Sequence, residues 1–375
     1  MELMFNVSSR IYLAPGASKS VGKLLAEEGK KKVLFICDGN LEKLGITAAV
    51  VEGIEKEGLE ITVFDKVNGE PPYTLVEEAA GIVKAKEIDA IVGMGGGSAL
   101  DTAKCTMIMS ANGDILKYAD TFDEVEKKGE YLLLIPTTFG TGSEVTDGAV
   151  ISVPEEDRKI TIWGKNCAGD FAVIDPELAT GLPASITAST GMDALSHAVE
   201  AYTAPNPSPF SDIMALSAIE TILRWLPECI ADGKNVEKRA HMCVGATAAG
   251  IAFNNGGLNQ GHELAHGLGA KFHIPHGTAC ALSMPLAIKA NAEFMPERIE
   301  KLATLFGVND SDKTDGLIRK MVELRKQLGI PGFAELGITE DKFELVGDAW
   351  DAEPKGEYPF SPDREYIIDF IKSTY

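Results

Sequence analysis

The first half of the chain alternates short apolar runs with stretches of helical period. The runs KKVLFICD (31–38), EITVF (60–64), DAIVG (89–93) and LLLI (132–135) are the right length for strands. Between them, residues 19–28, 47–57, 74–86 and 98–109 carry apolar positions at helical spacing. This order predicts an α/β unit built on a doubly wound, mostly parallel sheet. The stretch 148–175 predicts further strands. LPAS (182–185) then punctuates the chain, and β-type runs nearly vanish. SDIMALSAIETILRWLPECI, KRAHMCVGATAAGIAF and the terminal DREYIIDFIKS have helical periodicity. The expected organisation is an N-terminal α/β domain over 1–184 and an all-α C-terminal domain over 185–375.

Composition narrows the class. A chain of 375 residues with 45% hydrophobic content can build two cores. The net charge of −21 argues against nucleic-acid and anionic-membrane partners. The six cysteines form no CxxC pair, which suits reduced thiols. The N-terminus MELMFNVSSR has no basic, apolar leader, and no run of 18 apolar residues is present. A cytoplasmic enzyme is expected, assembled as a homo-oligomer, dimer or higher.

Two glycine loops bring in chemistry. DAIVGMGGGSALDTAK (89–104) reads as strand, glycine loop and helix start. Gly95, Gly96 and Gly97 leave room for a phosphate to approach the backbone, and Ser98 and the following N–H groups can donate to it. Asp101 falls in the first helical turn. PTTFGTGSEVT (136–146) follows the next strand and offers Thr137, Thr138, Thr141 and Ser143. Two such loops suit the pyrophosphate of a dinucleotide. Asp38 ends the first strand of the series, where a carboxylate accepts from a ribose 2′-OH and repels a 2′-phosphate. That favours NAD over NADP, although Asp38 equally fits a turn residue in Asp-Gly-Asn. The acid precedes the glycine loop by more than fifty residues, so the wiring is not the usual Rossmann one.

Histidine supplies the other half. Of six histidines, His262, His266, His273 and His276 fall within fifteen residues. Asp193 and His197 lie upstream at i, i+4, on one face if GMDALSHAVE is helical. His276, between Pro275 and Gly277, belongs at a turn or helix start. One carboxylate with several imidazoles suits Fe(II) or Zn(II) rather than calcium or magnesium.

With these motifs in view, the whole chain resembles the iron-containing (group III) metal-dependent alcohol dehydrogenases. The likeness rests on GGGSALDTAK, PTTFGTGSEVT, DPELATGLPASITASTGMDALSHAVEAY and HELAHGLGAKFHIPHG. It implies the metal ligands Asp193, His197, His262 and His276, with His266 as a catalytic histidine near the nicotinamide. It also implies NAD contacts at Asp38, Gly95, Gly96, Gly97, Ser98, Asp101, Thr137, Thr138, Ser143, Val145, Lys159 and Leu178, and Phe253 in the substrate pocket. The implied activity is NAD(H)-dependent interconversion of a small primary alcohol and its aldehyde at a metal-polarised oxygen. Departures occur at Glu263, Gly267, GEPP (69–72) and CALSMP (280–285). The Gly-Glu-Pro form resembles the 4-hydroxybutyrate dehydrogenase branch, which would place an anion on the substrate, and Lys159, Lys165 and Lys271 are the candidate counter-charges. HELAH also matches the HExxH helix of zinc metalloproteases with Glu263 as base, a rival that leaves the glycine loops unexplained.

Overall fold

The structure, a computed structural model, describes residues 4–156, 158–205 and 208–375. It divides into two compact units, Val7–Gly181 and Leu182–Tyr375, the second joined by the N-terminal residues 4–6.

The first unit contains strands β1 (Arg10–Leu13), β2 (Lys32–Asp38), β3 (Glu60–Val67), β4 (Ala90–Gly95), β5 (Thr121–Phe122), β6 (Tyr131–Pro136), β7 (Gly148–Val153), β8 (Arg158–Trp163) and β9 (Phe171–Ile174). Six of them form one sheet in the order β1-β9-β6-β4-β2-β3, every pairing parallel. The small sheet β5-β8-β7 stands apart and contains an antiparallel pair. The helices of this unit are α1 (Val21–Glu27), α2 (Gly39–Lys43), α3 (Ala48–Lys56), α4 (Tyr73–Lys86) and α5 (Gly97–Asn112).

The central strands are apolar at consecutive positions because both faces of the sheet are covered. Leu34, Ile36, Ile91, Leu132 and Leu134 enter one core with residues of α4 and α5. Their neighbours Val33, Phe35, Cys37, Val92, Leu133 and Ile135 enter the other with Val21 and Leu25 of α1 and Val50 and Ile54 of α3. The period of two is therefore present, but read out against two cores instead of core and solvent. The doubly wound sheet expected from the sequence is what forms. Three elements escaped the pattern: the four-residue edge strand β1, mostly exposed, the two-residue β5 and the five-residue α2.

Lys104 on α5 is fully buried. Its ammonium donates to Thr146 O at 2.9 Å, Thr146 Oγ1 at 3.2 Å and Gly148 O at 2.7 Å. It thus pins the segment after the second glycine loop to the helix that follows the first. Burial lowers its pKa, and nearby Asp101 opposes that shift.

The second unit is helical: α6 (Ala184–Thr203), α7 (Pro209–Ala231), α8 (Val236–Gly256), α9 (Gln260–Phe272), α10 (His276–Asn291), α11 (Pro296–Leu305), α12 (Lys313–Gln327), α13 (Phe343–Ala352) and α14 (Arg364–Thr374). An apolar core unites Leu264 and Leu268 of α9, Leu282 and Leu286 of α10, Trp350 of α13 and Phe370 of α14. Helix α6 packs against α7, α8 and α10 and is buried on all sides from Gly191 to Thr203. A helix so enclosed should be apolar all round. This one carries Asp193, Ser196, His197 and Glu200 through its middle, and that polarity is what marks it. Among the described residues, no helix is long and apolar enough to cross a membrane.

Lys104→Met keeps the length of the side chain and leaves two buried carbonyls without their donor. The expected loss is about 2 kcal/mol or more of stability, read as a lower urea midpoint. An unshifted midpoint would show that Lys104 does not hold the loop.

Candidate metal centre and dinucleotide cradle

The centre is built in the helical unit from three helices. On α6, Asp193 and His197 lie one turn apart, as their spacing predicts. His262 is the third residue of α9, and His276 opens α10. Asp193 Oδ1 stands 3.7 Å from His197 Nε2, 3.7 Å from His262 Nε2 and 3.6 Å from His276 Nε2. Among the described residues this buried oxygen has no hydrogen-bond partner. Leaving a carboxylate oxygen in that state costs far more than packing returns. Burial would raise the Asp193 pKa, but the imidazoles of His197, His276 and His262 together hold it well below the usual carboxylate range. Burial pushes His197 down to about 4, against the pull of Asp193, so its ring is neutral and able to donate a lone pair. A cation seated against Asp193 Oδ1 would supply the missing partner.

Close backbone approach makes this convergence possible. A Cβ on Gly277, next to His276, would lie 2.2 Å from Ser189 O on α6. A Cβ on Gly261, next to His262, would lie 2.5 Å from Glu200 Oε1. Each glycine lets a histidine-bearing helix start press against α6.

The sequence reading missed Glu200. It is fully buried, three residues past His197. Its Oε1 lies 2.7 Å from His262 Nδ1 and accepts from Ser196 Oγ at 2.8 Å. Its Oε2 accepts from the backbone N–H groups of Asn259 and His262, both at 3.0 Å. Burial would raise the Glu200 pKa, but His262 and these N–H groups lower it. An ionised carboxylate can only accept, so Nδ1 of His262 carries a hydrogen, and Nε2 is the ring nitrogen that faces Asp193. The signal available in the sequence was an acid on the same face of the helix as Asp193 and His197. Cys280 was also missed as a site residue. It lies one turn beyond His276, is buried, and places Sγ 3.6 Å from His262 Nε2 and 3.5 Å from His276 Nε2.

Other expected residues take these positions. His266 is exposed, its ring centroid 5.4 Å from that of His276 and 6.2 Å from that of His262. Phe253 on α8 stacks on His197 at 4.4 Å. His273 caps α9 in a left-handed conformation and is no part of the cluster. Glu263 points elsewhere: its Oε1 accepts from Gly356 N at 2.6 Å and Tyr358 Oη at 2.8 Å. That carboxylate ties a C-terminal segment to α9, which removes the protease base.

In the sheet unit, the residues expected to hold a dinucleotide gather at the carboxyl ends of the strands. β2→β3 winds one way and β4→β6 the other, so the switch in winding falls between β2 and β4. Asp38 ends β2 and Gly95 ends β4, beside Pro136 of β6. Crevices at such a switch are where open α/β sheets bind ligands. A Cβ on Gly96 would come within 3.2 Å of Thr138 Oγ1, and one on Gly97 within 3.0 Å of the Thr141 side chain. The two glycine loops therefore face each other. Helix α5 starts at Gly97 with no side-chain cap, and Ser98 lies in its first turn. The tight glycines and the uncapped helix start fit a pyrophosphate. Asp38 uses Oδ1 to cap α2 through Asn40 N at 2.7 Å. Asp101 accepts from Ser143 Oγ at 2.6 Å and Val150 N at 3.0 Å, which locks the second loop to α5. Thr137 and Val145 are buried beside these loops. Leu178 packs against the core on the α1/α3 face. Lys159 forms an ion pair with Glu70.

Comparison with known proteins gives the family. Residues 8–176 match the profile described as iron-containing alcohol dehydrogenase, and residues 187–375 match the C-terminal part of the same family. The chain belongs to the iron-containing alcohol dehydrogenase family. It is therefore an oxidoreductase enzyme of the alcohol dehydrogenase type. Among its relatives, the NAD-dependent methanol dehydrogenase of Bacillus methanolicus is 37% identical over 337 residues, 88% of each chain. The NADPH-dependent butanol dehydrogenase of Clostridium saccharobutylicum is 36% identical over 350 residues, 91% of this chain and 89% of that one. The solved structure of an alcohol dehydrogenase from Oenococcus oeni superposes with a TM-score of 0.93 at 31% identity, covering 100% of both chains.

Glu200→Gln keeps the shape but weakens the grip on His262. Affinity for a divalent metal should fall about 10- to 100-fold, measured by competition with a chelating indicator. Equal affinities would mean that Glu200 serves only the packing of α9.

Proposed function

We propose that this chain is an NAD(H)-dependent, metal-dependent alcohol dehydrogenase acting on a small primary alcohol and its aldehyde. The observation that carries the reading is the buried, donorless Asp193 Oδ1 ringed by three imidazole nitrogens. The relatives supply the chemistry that such a centre serves. We assign Asp193, His197, His262 and His276 as ligands of Fe(II) or Zn(II). A metal held there would supply Lewis-acid polarisation of the substrate oxygen, and NAD would supply the hydride chemistry.

The remaining work falls to the chain. The two glycine loops hold the pyrophosphate, and Asp101 and Ser143 fix the second loop in place. Asp38 caps α2 with one carboxylate oxygen and takes a ribose hydroxyl with the other. Glu200 orients His262. Phe253 holds the ring of His197 flat and presents an apolar surface to a small substrate. His266, exposed and next to His276, passes the hydroxyl proton to solvent. The small neutral substrate is favoured over an anionic one because two of the candidate counter-charges are already engaged: Lys159 pairs with Glu70, and Lys165 with Asp123 at 3.6 Å. The six buried cysteines form no disulfide among the described residues, which suits a reducing cytoplasm.

The test is metal analysis of the purified protein together with NADH oxidation by butyraldehyde and by succinic semialdehyde. We expect one divalent metal per chain and turnover of butyraldehyde. His276→Ala should lose most of both, and full metal occupancy in that variant would remove His276 from the ligand set. A preference of about tenfold or more for succinic semialdehyde, about 1.4 kcal/mol of transition-state binding, would establish the anionic substrate instead.

Relatives of this chain differ in cofactor, one NAD-dependent and another NADPH-dependent. Asp38→Gly removes the charge that repels a 2′-phosphate, at a cost of only a few tenths of a kcal/mol for the cap it makes. The ratio of kcat/KM for NADPH over NADH should rise. An unchanged ratio would take Asp38 out of cofactor choice.

A further inference from the structure

We propose that the metal centre of this chain takes a sulfur ligand, the thiolate of Cys280, and is thereby biased toward zinc over Fe(II). The inference rests on the metal-dependent reading above and adds to it a donor outside the assigned set of one carboxylate and three imidazoles.

Position is the first observation. One donor atom each from Asp193, His262, His276 and Cys280 lies within 4.8 Å of the other three. His197 is outside that mutual group, although its Nε2 lies 3.7 Å from Asp193 Oδ1. Cys280 thus belongs to the mutual group, and one of the assigned histidines does not. Helix periodicity fixes it there, because residue 280 follows His276 by one turn on α10 and shares its face.

Distance is the second. Zinc takes imidazole nitrogen at about 2.0–2.1 Å and thiolate sulfur at about 2.3 Å, and a nitrogen and a sulfur donor that subtend about 110° at the ion lie about 3.6 Å apart. Sγ of Cys280 lies 3.6 Å from His262 Nε2 and 3.5 Å from His276 Nε2. Oxygen and nitrogen donors on the same centre would be separated by about 3.4 Å. Asp193 Oδ1 stands 3.6–3.7 Å from the imidazole nitrogens, slightly expanded from that figure.

The third observation is independent of the cysteine. Asp193 is 3% exposed, and its Oδ1 points into the same space with no hydrogen-bond partner among the described residues. The orphaned oxygen calls for a cation at a point that the sulfur also reaches. A thiolate there brings a second negative charge beside the carboxylate. It also brings a soft donor, which suits zinc better than the harder Fe(II).

X-ray absorption of the zinc-loaded, full-length protein decides the matter without any variant. We expect a sulfur scatterer at about 2.3 Å beside the nitrogen and oxygen shell. In Co(II)-loaded protein we expect a thiolate-to-cobalt charge-transfer band in the near ultraviolet. Cys280→Ser should abolish both signals while metal still binds. It should also weaken zinc relative to Fe(II) by about tenfold or more in a competition assay. A fully loaded wild-type site with nitrogen and oxygen donors alone would overturn the sulfur ligand and leave the dehydrogenase reading intact. A sulfur signal that survives in Cys280→Ser would overturn the assignment to Cys280. A protein that binds no divalent metal at all would overturn both this inference and the function on which it rests.

Discussion

A carboxylate buried without a donor is the constraint around which the helical unit is organised. Moving an ionised Asp193 out of water costs several kcal/mol even after relaxation. Within α6, His197 answers only part of that cost, and the helix is enclosed from Gly191 to Thr203. Compensation has to come from other elements, and it does. α9 delivers His262 and α10 delivers His276, each through a glycine where a Cβ would strike α6 or its Glu200 side chain. The positions of these helices, the small residues beside the histidines and the polar row on a buried helix are parts of one electrostatic solution.

Glu200 extends that solution outward. It accepts the two N–H groups at the start of α9, which suits a negative charge at a helix N-terminus. The same carboxylate fixes which ring nitrogen of His262 carries hydrogen. Secondary structure and ligand chemistry are thus held by a single side chain. In the sheet unit the equivalent economy lies with Asp101 and Lys104, three residues apart on α5. One holds Ser143 and Val150, the other Thr146 and Gly148, so that the helix begun by the first glycine loop fixes the second loop and the strand after it.

The protease motif illustrates why a short match has to be placed before it is believed. HELAH satisfies the spacing, and His262 does belong to the cluster. Yet residue 263 lies one position, about 100°, further round the helix than residue 262. Its carboxylate consequently meets Gly356 and Tyr358 instead of the imidazoles. The motif's three polar residues are split between two faces with two separate purposes.

The sequence by itself determined the alternation of the main strands and helices, the succession of an α/β region by a helical one, and the two glycine loops. These depend on local periodicity and on residues within one turn of each other, so a linear reading recovers them. It also determined the Asp193/His197 pair, because i, i+4 on a helix is a local relation. The opposed cores on the two faces of the sheet, the sheet order and the choice of partners for Lys159 and Glu263 were decided only by tertiary structure. So were the roles of Glu200 and Cys280. Glu200 meets His262 from 62 positions away, and Cys280 meets His262 from 18. No periodicity links such residues; only the packing of α9 and α10 on α6 brings a buried acid and a buried thiol to the same imidazole.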